Sequence, residues 1–171
     1  MGFAEYNKVS EDFMIDKAQL RSLITKVLKE ANLYSESAVE LLMLTAAVES
    51  KLGTYIKQLG GGPALGIFQM EPLTEQDIHG HFLAYREGLE DIVDSFSTMQ
   101  PDELEWNLAY QILMARLHYL RVPEPLPDKD DVEGLAKYWK KYYNTNLGKG
   151  TVEKAVRAYR SCCLEYKGYL A

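Results

Sequence analysis

The chain has 171 residues, of which 47% are hydrophobic and 26% charged, so it can bury one folded core and is too apolar for global disorder. Its net charge of -6 gives no support to nucleic-acid binding, which usually shows as a basic patch. No apolar stretch approaches the roughly 20 residues of a membrane span, and the first residues lack the basic and apolar regions of a secretory signal. We therefore expect no nucleic-acid partner, no membrane insertion, and a protein that is cytoplasmic at synthesis.

Apolar residues recur at helical spacing along the whole chain. Asp16 is the expected N-cap of a first helix, and a second helix should begin at Ser35 or at Ser37, where Ser37 and Glu40 match a capping box. This second helix ends near Ser50 and is apolar on nearly every face, which predicts the buried central helix. A loop from about 53 to 72 follows, with room for a short hairpin over 54–70.

The second half of the chain is also predicted to be helical. Thr74 should cap a short helix, and Pro101 should open a strongly amphipathic helix that ends near Leu120. A further helix is expected over 132–143, then a turn over 144–150, and Thr151 should cap a last helix that ends at about 166. The adjacent Cys162 and Cys163 are expected to be reduced. The predicted fold is a single mainly α domain over 1–171 with at most a short β-hairpin, in which 1–36 form an N-terminal helical extension.

Glu49 is the residue that suggests chemistry. It lies at the end of the apolar second helix and precedes a Gly-rich loop that contains Gly60-Gly-Gly-Pro and Gly66. Burial makes a carboxylate costly to ionise, so the pKa of Glu49 should be raised, as a general acid near neutral pH requires. A glutamate at a helix end is more often an ordinary surface residue, and that alternative stays open on the sequence alone.

Two segments resemble the lysozyme-like soluble lytic transglycosylases. The family has a Glu-Ser pair at the end of a buried helix and then Gly-Leu-Met-Gln-Leu/Met-x-Pro-x-Thr; here the counterparts are Glu49-Ser50 and Gly66-Ile-Phe-Gln69-Met70-Glu-Pro72-Leu-Thr74. The gap between the glutamate and the glycine is about two residues longer than usual. The family's later Ala-Tyr-Asn-Ala-Gly motif is matched only by Tyr143-Asn144. The segments agree in order over roughly 37–160.

The resemblance implies a lysozyme-like fold and cleavage of the β-1,4 bond between N-acetylmuramic acid and N-acetylglucosamine in peptidoglycan. Glu49 would be the catalytic acid and base, and the Tyr143 hydroxyl would hydrogen-bond it. The implied substrate-binding residues are Ser50, Gln69, Met70, Tyr143 and Asn144.

A lytic transglycosylase needs only one carboxyl group, because the muramoyl 6-hydroxyl replaces water as the nucleophile. A hydrolase needs a second carboxylate to position water, and Glu71 and Asp77 are the acids close behind the Gly-rich loop. We expect no cofactor and no metal, since His79-x-His81 has no third ligand nearby. The expected partners are peptidoglycan glycan strands.

A wall enzyme without an export signal fits a bacteriophage protein that is released to the cell wall by a holin or carried in the virion with other virion proteins. The alternative is a non-catalytic phage structural or wall-binding protein that retains the lysozyme-like scaffold. The longer loop, the altered Tyr-Asn motif and the acidic charge favour this alternative. Glu49 at the floor of an open groove lined by Gln69 and Tyr143 would favour the enzyme.

Overall fold

The helix α2 (Glu36–Ser50) lies at the centre of the fold in this computed structural model, which describes residues 15–145 and 148–164. Because apolar side chains occupy all of its faces, α2 has no solvent side and must be surrounded by other helices. It packs against α1 (Lys17–Glu30), α6 (Leu108–Leu120), α7 (Val132–Trp139) and α8 (Val152–Tyr159). The prediction of a buried central helix is confirmed.

The first two helices begin at side-chain caps. The Asp16 carboxylate accepts hydrogen bonds from two backbone N–H groups, as predicted, and Ser35 caps α2 by accepting from the N–H of Ala38. The prediction of a capping box of Ser37 and Glu40 is wrong, because the Glu40 carboxylate instead accepts two hydrogen bonds from Arg21 of α1, at 2.8 and 3.1 Å. Of the predicted 1–36 extension, residues 1–14 lie outside the described part, and α1 packs into the main core.

The middle of the chain differs from the sequence prediction in two places. Helix α3 (Pro72–His81) has Pro72 at its first position, so Thr74 lies inside the helix and does not cap it. After a 3₁₀ turn (Leu83–Tyr85) and α4 (Glu87–Phe96), the predicted helix from Pro101 is split into α5 (Glu103–Trp106) and α6. Asn107 causes the break, because it leaves the helical conformation and caps α6 through the N–H of Tyr110.

The last helices both continue into π-helical turns. Helix α7 runs into the turn Lys140–Asn144, and α8, capped by Thr151 as predicted, runs into Arg160–Leu164. Cys162 and Cys163 are buried in that second turn and form no disulfide. The predicted end of the last helix near 166 lies outside the described residues.

The described part of the chain contains no β-strand, only isolated antiparallel bridges of Leu65 with Lys57 and with Met70. The mainly α fold with at most a rudimentary hairpin is therefore confirmed. Buried apolar residues form two clusters, one around α2 and one between α3, α4 and the far side of α6. The turn from Ile67 to Met70 passes from the first cluster to the second. No helix in the described segments is both long and apolar enough to cross a membrane.

Candidate active site

Glu49 lies in the last turn of α2, just before the chain reverses direction. Lys51 and Leu52 both adopt the left-handed conformation, with φ of 51° and 55°, and Gly53 follows with φ of 83°. A left-handed residue after the last turn is a common way to end a helix, and here it sends the chain back past the helix end. Glu49 is thereby left half-buried at the floor of a cleft of about 760 Å³.

Four segments of the chain form the walls of this cleft. The hairpin region, the turn into α3, the side of α6 and the segment after α7 all contribute; the lining residues besides Glu49 are Tyr55, Gln58, Leu59, Ala64, Gln69, Met70, Glu71, Thr74, His118, Tyr143, Asn144, Thr145, Gly148 and Lys149. The fold therefore brings Glu49 together with Gln69, Met70, Tyr143 and Asn144, which are far apart in the sequence.

The environment of Glu49 shifts its proton affinity in two opposing ways. Burial raises the pKa from 4.5 to about 7, and a hydrogen bond from the Trp139 indole lowers it in part. The indole Nε1–H donates to Glu49 Oε1 at 2.9 Å. Among the described residues no donor bonds Oε2. Every fully buried side-chain oxygen or nitrogen in that part of the chain has a hydrogen-bond partner, so Oε2 is not fully buried and reaches solvent in the cleft. Glu49 thus has one fixed oxygen and one available oxygen.

Trp139 is the site residue that sequence reasoning missed, because nothing in its local sequence pairs it with a glutamate 90 residues earlier. The indole is almost fully buried, with 1% of the residue exposed, but its N–H is the only hydrogen-bond donor to Glu49 within the described residues. One signal could have identified it. Trp139 precedes Tyr143 by four residues, so both lie on the same helix face, the face turned toward Glu49.

Ser50 does not line the cleft. It is fully buried, and its hydroxyl donates to the carbonyl of Ile67 at 2.6 Å and accepts from the N–H of Gly53 at 2.8 Å. Because these bonds occupy the hydroxyl, Ser50 holds the returning loop against the end of α2. This is a correction of the sugar-binding role that the resemblance implied.

The motif from Gly66 to Gln69 forms a rigid turn. Gly66 has φ of 75°, and a Cβ atom there would lie 2.1 Å from the carbonyl oxygen of Leu104, so only glycine fits. The N–H of Ile67 donates to Gln111 of α6 at 2.8 Å. Gln69 also has a positive φ, 47°, and its side-chain amide donates to the carbonyl of Gly66 at 2.9 Å. The side chain of Gln69 therefore shapes the turn in addition to lining the cleft.

Tyr143 lines the cleft but does not make the expected hydrogen bond to Glu49. Its hydroxyl donates to the carbonyl of Phe68 at 2.8 Å, and this bond closes the turn against the end of α7. Burial, together with the nearby Glu49 carboxylate, raises the pKa of Tyr143 well above 10, so it stays a neutral donor. The hydroxyl of the neighbouring Tyr142 points away from the cleft and contacts Glu124.

His118 is an uncharged part of the cleft wall. Burial lowers its pKa to about 4. Its Nδ1 accepts from Arg121 at 3.0 Å, so the proton resides on Nε2, which donates to the carbonyl of Tyr142 at 2.8 Å. Its ring contacts the ring of Tyr143 edge-on, with centroids 4.9 Å apart. His118 thus supports the π-helical turn.

The two candidates for a second carboxylate are separated by the fold. Glu71 lines the cleft, whereas Asp77 lies on the exposed side of α3. Hydrogen bonds from Arg121 and His81 hold the Asp77 carboxylate and lower its pKa. This placement corrects the proposal of Asp77 as a cleft acid. Within the described residues no three His, Cys, Asp or Glu side chains are grouped so that they could hold a metal ion.

Comparisons of this chain with protein-family models, with curated proteins and with solved structures found no match. The site is a glutamate with a raised pKa at the floor of an open cleft in a mainly α protein.

Proposed function

We propose that this protein cleaves the β-1,4-glycosidic bond between N-acetylmuramic acid and N-acetylglucosamine in peptidoglycan, with Glu49 as the single general acid and base. The observation that carries the proposal is the state of Glu49. Its pKa of about 7 keeps a large fraction of the carboxyl protonated near neutral pH, and one of its oxygens is open to a cleft of about 760 Å³. A pKa close to the working pH is the best compromise for a group that must both give and take a proton.

The reaction needs a proton on the leaving oxygen while positive charge develops on the sugar. Glu49 Oε2 donates its proton to the glycosidic oxygen, the bond from that oxygen to C1 breaks, and the bonding electron pair leaves with the oxygen. The muramoyl 6-hydroxyl then attacks C1 and returns its proton to the Glu49 carboxylate. The Trp139 N–H on Oε1 stabilises the carboxylate that exists between the two steps.

The arrangement of acids favours this single-carboxyl reaction over hydrolysis. Among the described residues Glu71 is the only carboxylate besides Glu49 that lines the cleft, and Asp77 is held elsewhere by Arg121. Glu71 is exposed, and no side chain or N–H group in the described part of the chain hydrogen-bonds its carboxylate. Hydrolysis with Glu71 positioning the water molecule is the alternative, and the products distinguish the two reactions.

The cleft wall suits an uncharged glycan strand better than the net charge of the chain suggests. Most of its lining residues are neutral, and Glu71 and Lys149 contribute one charge of each sign. Its size lies within the roughly 300–1,000 Å³ of typical ligand pockets. The aromatic ring of Tyr55 and the exposed Leu59 offer apolar surface for the faces of sugar rings.

The test is incubation of the purified protein with peptidoglycan sacculi, followed by mass analysis of the soluble fragments. Muropeptides with 1,6-anhydro ends are expected from the wild type and none from Glu49→Gln, with Glu71→Gln as the matched control in the same cleft. Reducing muramic acid ends would favour hydrolysis. Binding to sacculi without release of fragments would favour the non-catalytic wall-binding protein, and neither binding nor release would refute both functions.

A further inference from the structure

Lys140 is the first residue of the π-helical turn and follows Trp139 directly. Its ammonium group donates three hydrogen bonds, to Asn144 Oδ1 at 2.7 Å, to the carbonyl of Thr145 at 2.8 Å and to the carbonyl of Gly148 at 2.9 Å. An ammonium group has three protons, so this set uses all of them. Lys140 therefore ties Asn144 and Thr145 to Gly148, and so clamps the described residues of the 144–150 loop, which are 144–145 and 148–150.

The clamped loop packs directly on the Trp139 indole. A Cβ atom on Gly150 would lie 2.4 Å from the far edge of the ring, so only a glycine allows the backbone to come this close. The same loop also provides Asn144, Thr145, Gly148 and Lys149 to the cleft wall. The loop thus contacts the cleft on one side and, on the other, the indole that donates to Glu49.

We propose that Lys140 is a positioning residue that, by clamping the 144–150 loop onto the ring of Trp139, holds the indole N–H on the Glu49 carboxyl. Its catalytic consequence rests on the proposed function, in which Glu49 is the acid. The positioning role of Lys140 itself does not rest on the proposed function, because the position of the indole and the ionisation of Glu49 are measurable without any substrate.

The direction of the effect follows from the hydrogen bond. The Trp139 N–H favours the ionised form of Glu49, so an indole that is no longer held should raise the pKa of Glu49 above about 7. Among the described residues, Glu71 and Lys149 in the cleft wall contribute one charge of each sign, and the other titratable groups near Glu49 are Tyr55, Tyr119, Tyr143 and His118. Burial raises the pKa of each of these tyrosines and lowers that of His118 to about 4, so all four are neutral while Glu49 titrates.

The measurement is an NMR titration of the full chain between pH 5 and 9. The ¹³C signal of the Glu49 carboxyl, assigned by its absence in Glu49→Gln, gives the ionisation midpoint. The chain has two tryptophans, and the Trp106 indole donates to the carbonyl of Pro101, so its N–H signal is an internal reference. In the wild type the Trp139 N–H signal should follow the Glu49 titration.

Lys140→Met should raise the Glu49 midpoint by about one pH unit, the order expected for a weakened hydrogen bond to a charged group. Gly150→Ala should act in the same direction, because the added methyl group pushes the ring without removing a charge. Lys141→Met is the matched control, since this neighbouring lysine is exposed and pairs with Glu124. Its midpoint should equal that of the wild type.

A folded Lys140→Met or Gly150→Ala variant with the wild-type midpoint would overturn the proposal. If one variant fails to fold, the other carries the test. A Trp139 N–H signal of the wild type that does not shift while Glu49 titrates overturns the proposal without any variant. The two proposals fail separately. A raised midpoint in a protein that cleaves no glycan refutes only the function, and cleavage with an unchanged midpoint in the variants refutes only the role of Lys140.

Discussion

Glu49→Gln should make the protein more stable at alkaline pH and leave its stability nearly unchanged at acidic pH. The amide has almost the shape of the protonated carboxyl and can still accept from Trp139 at 2.9 Å. At low pH the wild-type side chain is neutral, so the two proteins bury equivalent groups. At high pH only the wild type buries a charge.

The magnitude follows from the pKa of Glu49. Burial raises it from 4.5 to about 7 in the folded protein. Between these two values the folded state holds a proton that the unfolded state has lost, so the stability of the wild type falls as the pH rises and levels off above about 7. Each pH unit corresponds to about 1.4 kcal/mol, so the loss amounts to about 3 kcal/mol. For a chain of this size that is roughly 6–12 °C in Tm.

The assay is thermal or urea unfolding of both proteins at intervals from pH 4 to 8.5. The stability difference in favour of Glu49→Gln should grow from near zero at pH 4 to about 3 kcal/mol at pH 8. Glu71→Gln is the control, because this carboxylate is exposed in the same cleft and its replacement should change stability by less than about 0.5 kcal/mol at every pH. Parallel curves for the wild type and Glu49→Gln would show that Glu49 ionises as in water and would refute the reasoning.

The loop anchors and the second carboxylate give three more measurable outcomes. Tyr143→Phe should lower the free energy of unfolding by about 1–3 kcal/mol, because the carbonyl of buried Phe68 loses its donor, whereas Tyr142→Phe should change it by less than about 0.5 kcal/mol. Urea unfolding measures both, and equal effects would contradict the anchoring role. Ser50→Ala should also lower the free energy of unfolding, by roughly 1–3 kcal/mol in the same assay, and an unchanged stability would show that the Ser50 hydroxyl does not hold the loop. Glu71→Gln should leave the yield of 1,6-anhydro products unchanged, and loss of all products would assign Glu71 a role in catalysis.

The sequence was sufficient where one local signal dominated. The apolar segment of α2 required a central position, and the caps at Asp16 and Thr151 are confirmed because each side chain bonds its own helix end. The sequence failed where contacts from distant elements decided. Glu40 could have completed a capping box, but Arg21 from another helix takes its carboxylate. The break at Asn107 was hidden because apolar spacing continues across it.

The candidate site shows the same contrast between local sequence signals and contacts from distant elements. Glu49, Gln69 and Tyr143 were selected from sequence segments, and the fold places all three in one cleft. Their partners could not be predicted in this way. The donor to Glu49 is Trp139, 90 residues further along the chain, and Tyr143 donates to the loop instead. A short motif identifies residues that share a region, but hydrogen-bond partners depend on distances of a few tenths of an ångström that only the packed structure fixes.

The position of Trp139 explains why the pKa of Glu49 stays close to neutrality. Burial alone would push the pKa higher, and a carboxyl that holds its proton too tightly is a weak acid toward a glycosidic oxygen. A full set of donors or a nearby cation would lower the pKa, and Glu49 would then hold no proton near neutral pH. A single neutral N–H, held by a packed ring, offsets part of the effect of burial without adding a charge. Both forms of Glu49 are then populated near pH 7, and the proposed reaction, in which Glu49 first donates a proton and then accepts one, needs both.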